Sequence, residues 1–147
     1  MGKIISKSVV ETWKLARDIT KDLKDGDVLG LVGALGGGKT IFTKGLAKAL
    51  GIKDEIQSPT FTLIREYKPK KQETRNKKQI RKLYHIDVYR LQSEKEAEEL
   101  GLEELFKEKD AIFVVEWADR IKNLLPKHTK FIEFDFVDET TRQILLK

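Results

Sequence analysis

The sequence predicts an α/β fold, a three-layer sandwich around a mixed, largely parallel central sheet with added antiparallel strands. Three observations carry this. Val28-Leu29-Gly30-Leu31-Val32 and Ala111-Ile112-Phe113-Val114-Val115 are short, unbroken apolar runs, the pattern of strands buried on both faces of a parallel sheet. The first run leads into a glycine-rich loop and then a helical pattern. Near the C-terminus, residues 131–137 and 143–146 read as two strands joined by Asp138-Glu139-Thr140-Thr141, a short polar connection that suits antiparallel neighbours.

One domain over residues 1–147 is expected, because a chain of this length buries roughly two thirds of the surface its unfolded form exposes. Charged residues make up 36% of the chain, above the ~25% of an average globular protein, so a highly charged surface surrounds that core. The absence of cysteine excludes a disulfide framework, a thiolate metal site and a cysteine nucleophile, and suits a reducing cytoplasm. The first residues lack the apolar core of a signal peptide, and the apolar runs fall well short of the ~18 residues of a membrane span. A cytoplasmic protein with no membrane partner is the expectation.

Along the chain, Val9, Trp13, Ala16, Ile19, Thr20 and Leu23 recur at three- and four-residue steps, predicting a helix over 9–23 with one buried face. Asp25-Gly26-Asp27 ends it. After the strand at 28–32 and the glycine loop, Ile41, Phe42, Leu46, Ala47 and Leu50 keep helical spacing up to Gly51, a C-terminal stop. A loop at 57–60 enters a β-rich segment at 61–67, and a second strand is predicted over 83–91. On that strand Leu83, His85, Asp87, Tyr89 and Leu91 share one face. Residues 93–109 favour an acidic helix opened by a Ser93/Glu96 capping box. Residues 118–125 read as a short helix stopped by Pro126.

The formal charge of +5 is concentrated locally. Between 68 and 82, eight basic residues (Lys68, Lys70, Lys71, Arg75, Lys77, Lys78, Arg81, Lys82) face one acid, Glu73, which leaves the rest of the chain at −2. This basic insertion reads as a hairpin loop. It is either a solvated loop or a contact to nucleic-acid phosphates.

Gly33-Ala34-Leu35-Gly36-Gly37-Gly38-Lys39-Thr40 matches G-x-x-x-x-G-K-[ST], the loop that cradles phosphates. Gly36, Gly37 and Gly38 allow the tight path that aims backbone N–H groups at an anion. Lys39 can reach the β- and γ-phosphates, and the Thr40 hydroxyl can ligate magnesium. A chance glycine turn between strand and helix is the alternative, but the order strand, loop, helix is the one the motif demands. Such a fold is P-loop NTPase-like. Glu116, emerging from the end of a buried strand, is placed to steady the metal; the alternative is a solvated acid past the sheet's edge.

Taken together, G-A-L-G-G-G-K-T, S-P-T-F-T-L at 58–63, H-I-D-V-Y-R-L at 85–91 and V-E-W at 115–117 resemble the TsaE family, the bacterial tRNA threonylcarbamoyladenosine biosynthesis ATPase. The resemblance covers nearly the whole chain. It implies an ATPase using ATP and Mg2+ that acts with the TsaD and TsaB subunits, which attach the threonylcarbamoyl group to tRNA. It also implies Thr40 and Glu116 as metal ligands, the loop at Ser58, Pro59 and Thr60 as the part that responds to the γ-phosphate, and Asp87 as a group that positions metal or attacking water. Trp117 would sit beside the nucleotide, as would Leu35 in the loop, Thr12 near the adenine and Arg142 on the last strand. Each has a plainer alternative: a Ser-Pro turn for Thr60, a polar strand face for His85 and Asp87, and packing or surface for Trp117, Thr12 and Arg142.

Three rival functions remain. A small-molecule kinase shares the phosphate loop but needs a lid, for which no arginine-rich segment is present apart from the lysine-heavy insertion. A guanine-specific switch would need N-K-x-D and D-x-x-G after the loop, and both are missing. An RNA-binding module with a structural nucleotide site would work through residues 68–82.

Overall fold

The computed structural model describes residues 2–34, 38–56, 63–69 and 80–147. Among these described residues, seven strands form one mixed sheet. In chain order they are β1 (Gly2–Ser6), β2 (Val28–Val32), β3 (Ile64–Tyr67), β4 (Lys82–Asp87), β5 (Ala111–Glu116), β6 (Lys130–Phe136) and β7 (Arg142–Leu146). Their order across the sheet is β1-β7-β6-β2-β5-β4-β3. The central strands β6, β2, β5 and β4 run parallel, whereas β7 on β6, β1 on β7 and β3 on β4 are antiparallel. The sheet predicted from the apolar runs is therefore present.

Helices cover both faces. Helices α1 (Val9–Thr20) and α2 (Lys39–Ala49) pack on one side, where Leu15, Ala16, Phe42 and Leu46 meet Leu29, Leu31, Val114 and Phe134. On the other side α3 (Glu94–Glu99), α4 (Leu102–Leu105) and the 3-10 turn at Ala118–Ile121 bring Ala97, Leu102 and Ile121 against Val28, Ile86, Phe113 and Val115. Alternate residues of β2 and β5 thus serve opposite cores. That is why these two strands read as unbroken apolar runs.

Several elements depart from the sequence reading. The first strand was not foreseen; it pairs with β7 along the edge, from Gly2 opposite Leu146 to Ser6 opposite Arg142. Helix α1 ends at Thr20 and buries Thr12, Leu15, Ala16 and Thr20, while Val9 is 44% exposed. Strand β4 stops at Asp87, whose carboxylate accepts the Tyr89 backbone N–H at 2.9 Å and turns the chain, so Tyr89 and Leu91 lie beyond the strand. The acidic helix is split at Gly101, which takes a left-handed conformation (φ 77°) between α3 and α4. Of the predicted capping box the Ser93 half is present: Ser93 Oγ accepts from the Glu96 backbone N–H at 3.4 Å. After Trp117 the bonds from Arg120 N to Trp117 O and from Leu124 N to Ile121 O span three residues, giving 3-10 turns in place of a regular helix.

The basic insertion connects β3 to β4, which are antiparallel neighbours with Tyr67 opposite Leu83, so it joins the arms of a hairpin at the sheet's outer edge. Residues 70–79 within it lie outside the described residues. No helix among the described residues is long and apolar enough to cross a membrane.

Candidate functional site

The site grows from the C-terminal ends of three adjacent parallel strands. In sheet order β2, β5 and β4, the register sets Leu31 beside Glu116 and Glu116 beside Asp87. Strand β2 ends at Val32 and runs into the glycine loop, and α2 begins at Lys39 with Gly38 as its N-cap. Gly38 has φ 101°, a conformation that glycine adopts without strain. Crevices at strand carboxyl ends are where open α/β sheets bind ligands.

Lys39 occupies the middle of this site. Its side chain is buried, and the ammonium donates to the backbone carbonyls of Gly33 and, at 3.1 Å, Ala34. The same ammonium lies 4.1 Å from the centre of the Trp117 ring. Burial lowers its proton affinity below that of an ordinary lysine, an effect opposed by the negative charges of Glu116, Asp87 and Asp119. One cation thus faces three carboxylates, and α2 adds the positive end of its dipole at the same place.

Glu116 is 3% exposed, and its two oxygens face different partners. Oε1 stands 3.5 Å from the Thr40 hydroxyl, and Oε2 is hydrogen-bonded to Nε2 of the fully buried His85. Hydroxyl and carboxylate therefore converge from α2 and β5 as a pair of hard oxygen donors. Such a set suits magnesium, which takes one or two protein oxygens and fills the rest of its octahedron with water and phosphate. Asp87, 7% exposed, lies next to Glu116 in register.

Trp117 follows directly in a left-handed conformation, φ 61°, rare for a bulky residue. It holds the ring between Lys39 on one hand and Tyr89 and Arg120 on the other, with the Tyr89 ring 4.9 Å and the Arg120 guanidinium 5.1 Å from it. Arg120 also donates to the Tyr89 carbonyl. Such strain is tolerated where surrounding contacts over-determine it, as at functional sites.

Arg142 lies beside the start of α2: a Cβ placed on Gly38 would be 3.6 Å from its Cγ. Its neighbour across the sheet is Ser6, whose hydroxyl is 2.6 Å from that of Thr12. Thr12 is thus tied to Arg142 through Ser6, but it stands outside the group formed by Lys39, Thr40, Asp87, Glu116 and Trp117. Leu35, Gly36, Gly37, Ser58, Pro59 and Thr60 lie outside the described residues.

In the sequence His85 is marked only as a companion of Asp87, two residues apart on one strand face, and that alternation is the signal for its nearness to Glu116. Arg120 and Asp119 carry no such signal, because a short turn after V-E-W has no periodicity to aim its side chains.

The family model described as "Threonylcarbamoyl adenosine biosynthesis protein TsaE" matches residues 6–144. The tRNA threonylcarbamoyladenosine biosynthesis protein TsaE of Bacillus subtilis (strain 168) is 42% identical over 134 residues, covering 91% of this chain and 77% of that protein. The protein of the same description from Treponema pallidum (strain Nichols) is 36% identical and covers 97% of each chain. The crystal structure of Bacillus subtilis YdiB superposes with a TM-score of 0.77 at 36% identity, covering 99% of this chain and 83% of that one. A family match over nearly the whole length, with a solved structure of the same fold, means that the chain belongs to the TsaE family of threonylcarbamoyl adenosine biosynthesis proteins.

Proposed function

We propose that this protein is an ATPase of tRNA threonylcarbamoyladenosine biosynthesis, which binds ATP with magnesium at the ends of β2, β5 and β4 and acts with TsaD and TsaB in the cytoplasm. The observation that carries the reading is the convergence of Lys39, Thr40, Glu116 and Asp87 on one buried spot in a chain of the TsaE family.

In this reading Lys39 acts as a point charge on the β- and γ-phosphates, and Gly38 with Leu35, Gly36 and Gly37 offers backbone N–H groups to the same oxygens. Thr40 and Glu116 hold the metal. Bound magnesium supplies charge neutralisation across the phosphates. Asp87 orients the attacking water, Trp117 walls the site, and Arg142 and Thr12 flank it from the β7 and α1 side. Thr60, with Ser58 and Pro59, responds to the terminal phosphate, so the segment 58–60 reports nucleotide state to the partner proteins.

Hydrolysis by the chain alone is slow in this account, because no arginine of its own is assigned to the transferring phosphoryl group alongside Lys39 and the metal. An arginine supplied in trans is worth ~10³ to 10⁵ in rate in other P-loop enzymes. The test is reconstitution: TsaD, TsaB, tRNA and a threonylcarbamoyl donor, with this chain added or omitted. Sustained formation of modified tRNA only when the chain and ATP are both present is expected; equal yield without the chain would overturn the assignment. Transfer of the γ-phosphate to a small acceptor, in place of release as phosphate, would point to the kinase alternative.

A further inference from the structure

We infer that His85 is the positioning residue for Glu116, fixing which carboxylate oxygen is presented to the metal. The inference rests on the reading of Thr40 and Glu116 as magnesium ligands and adds a named device to it. His85 is two residues before the end of β4 and pairs in register with Val114, which makes Glu116 its diagonal neighbour on the same face of β5. Diagonal neighbours are within reach of each other when one side chain is long. The imidazole Nε2 meets Glu116 Oε2, while Glu116 Oε1 faces Thr40 Oγ1 at 3.5 Å. A carboxylate only accepts, so Nε2 carries the hydrogen. One oxygen is thereby held by the ring, the side chain loses its last free rotation, and the other oxygen is left pointing at the helix that bears Thr40.

The rest of the ring shows that filling space is not its purpose. His85 is completely buried, and its Nδ1 finds no hydrogen-bond partner among the described residues. An imidazole with one nitrogen unsatisfied is a poor way to fill a core that leucine would fill at no polar cost. It persists where the other nitrogen does something a hydrocarbon cannot. Outer partners of this kind set the orientation of metal-binding carboxylates, and their loss weakens metal affinity ~10- to 100-fold.

The test uses the full chain with ADP and Mn2+ as the spectroscopic stand-in for magnesium. Mn2+ affinity is read by electron paramagnetic resonance for the wild type, His85→Leu, His85→Gln and Glu116→Gln, and ADP affinity is read separately in EDTA. His85→Leu should bind Mn2+ about tenfold or more weakly with unchanged metal-free ADP affinity, and His85→Gln, which keeps an N–H near the position of Nε2, should lie within about threefold of wild type. Leucine matching wild type, glutamine failing as badly as leucine, or a parallel loss of metal-free ADP binding would each overturn the inference. Unchanged Mn2+ affinity in Glu116→Gln would instead overturn the metal site on which it rests. A second measurement needs no variant: in 15N-labelled wild type the protonated Nε2 signal of His85 should shift when Mg2+ and ADP are added together, and an unmoved signal contradicts the role.

Discussion

Gly33 shows how tightly single residues are specified here. It follows β2 with φ 144°, and a Cβ placed on it would lie 2.3 Å from the Phe134 carbonyl oxygen. Gly33→Ala must therefore either move β6 or bend the entrance to the phosphate loop. The expected result is a loss of about 3 kcal/mol in stability, combining overpacking with an unfavourable backbone conformation, measured by urea unfolding. The motif named this glycine, and its partner in β6 could not be read because the contact spans about a hundred residues. The same holds for Glu116. Its position after a buried run marks it as a candidate metal ligand, whereas the tie to His85 depends on which strand lies beside β5. Trp117 was legible as a neighbour of the site, but its left-handed backbone was not, since no glycine or asparagine marks it.

At the scale of elements, the parts with strong local causes were readable and those decided by pairing were not. Strand β2 and the start of α2 follow from an apolar run and a phosphate-loop motif. Strand β1 depends on β7 for its existence, and Gly2-Lys3-Ile4-Ile5-Ser6 carries too weak an alternation to announce it. The turn between β6 and β7 is a case with a local cause. Asp138 accepts from the backbone N–H of Thr140 at 3.0 Å and of Thr141 at 2.9 Å, and these bonds lower its proton affinity from the ordinary aspartate value. The folded state then holds the proton less tightly than the unfolded one, so the stabilisation is present above the ordinary pKa of 3.8 and is lost as pH falls through the lowered value. Asp138→Ala should accordingly lower the melting temperature at pH 7 and have a smaller effect in acid, as the carboxylate becomes protonated. An equal effect at both would show that the charge is not involved. For the insertion, replacing Lys70, Lys71, Lys77 and Lys78 by alanine should leave Lys39-dependent hydrolysis unchanged. A fall in tRNA affinity that flattens its salt dependence would assign the segment to phosphate contacts.

For the whole molecule, three layers matter because they fix where strand ends go. Helical crossovers cover both faces of the central parallel strands, so β2 and β5 are buried from both sides, and parallel strands place their carboxyl ends along one rim. That rim collects Lys39, Thr40, Asp87 and Glu116 from positions as far apart in sequence as 39 and 116. The central measurement is magnesium-dependent ATP hydrolysis by the wild type and Lys39→Ala, each alone and with TsaD, TsaB and tRNA. The account predicts slow turnover by the wild type alone, a rise with the partners, and loss of both in Lys39→Ala; nucleotide that is never turned over, or turnover that survives loss of Lys39, would contradict it.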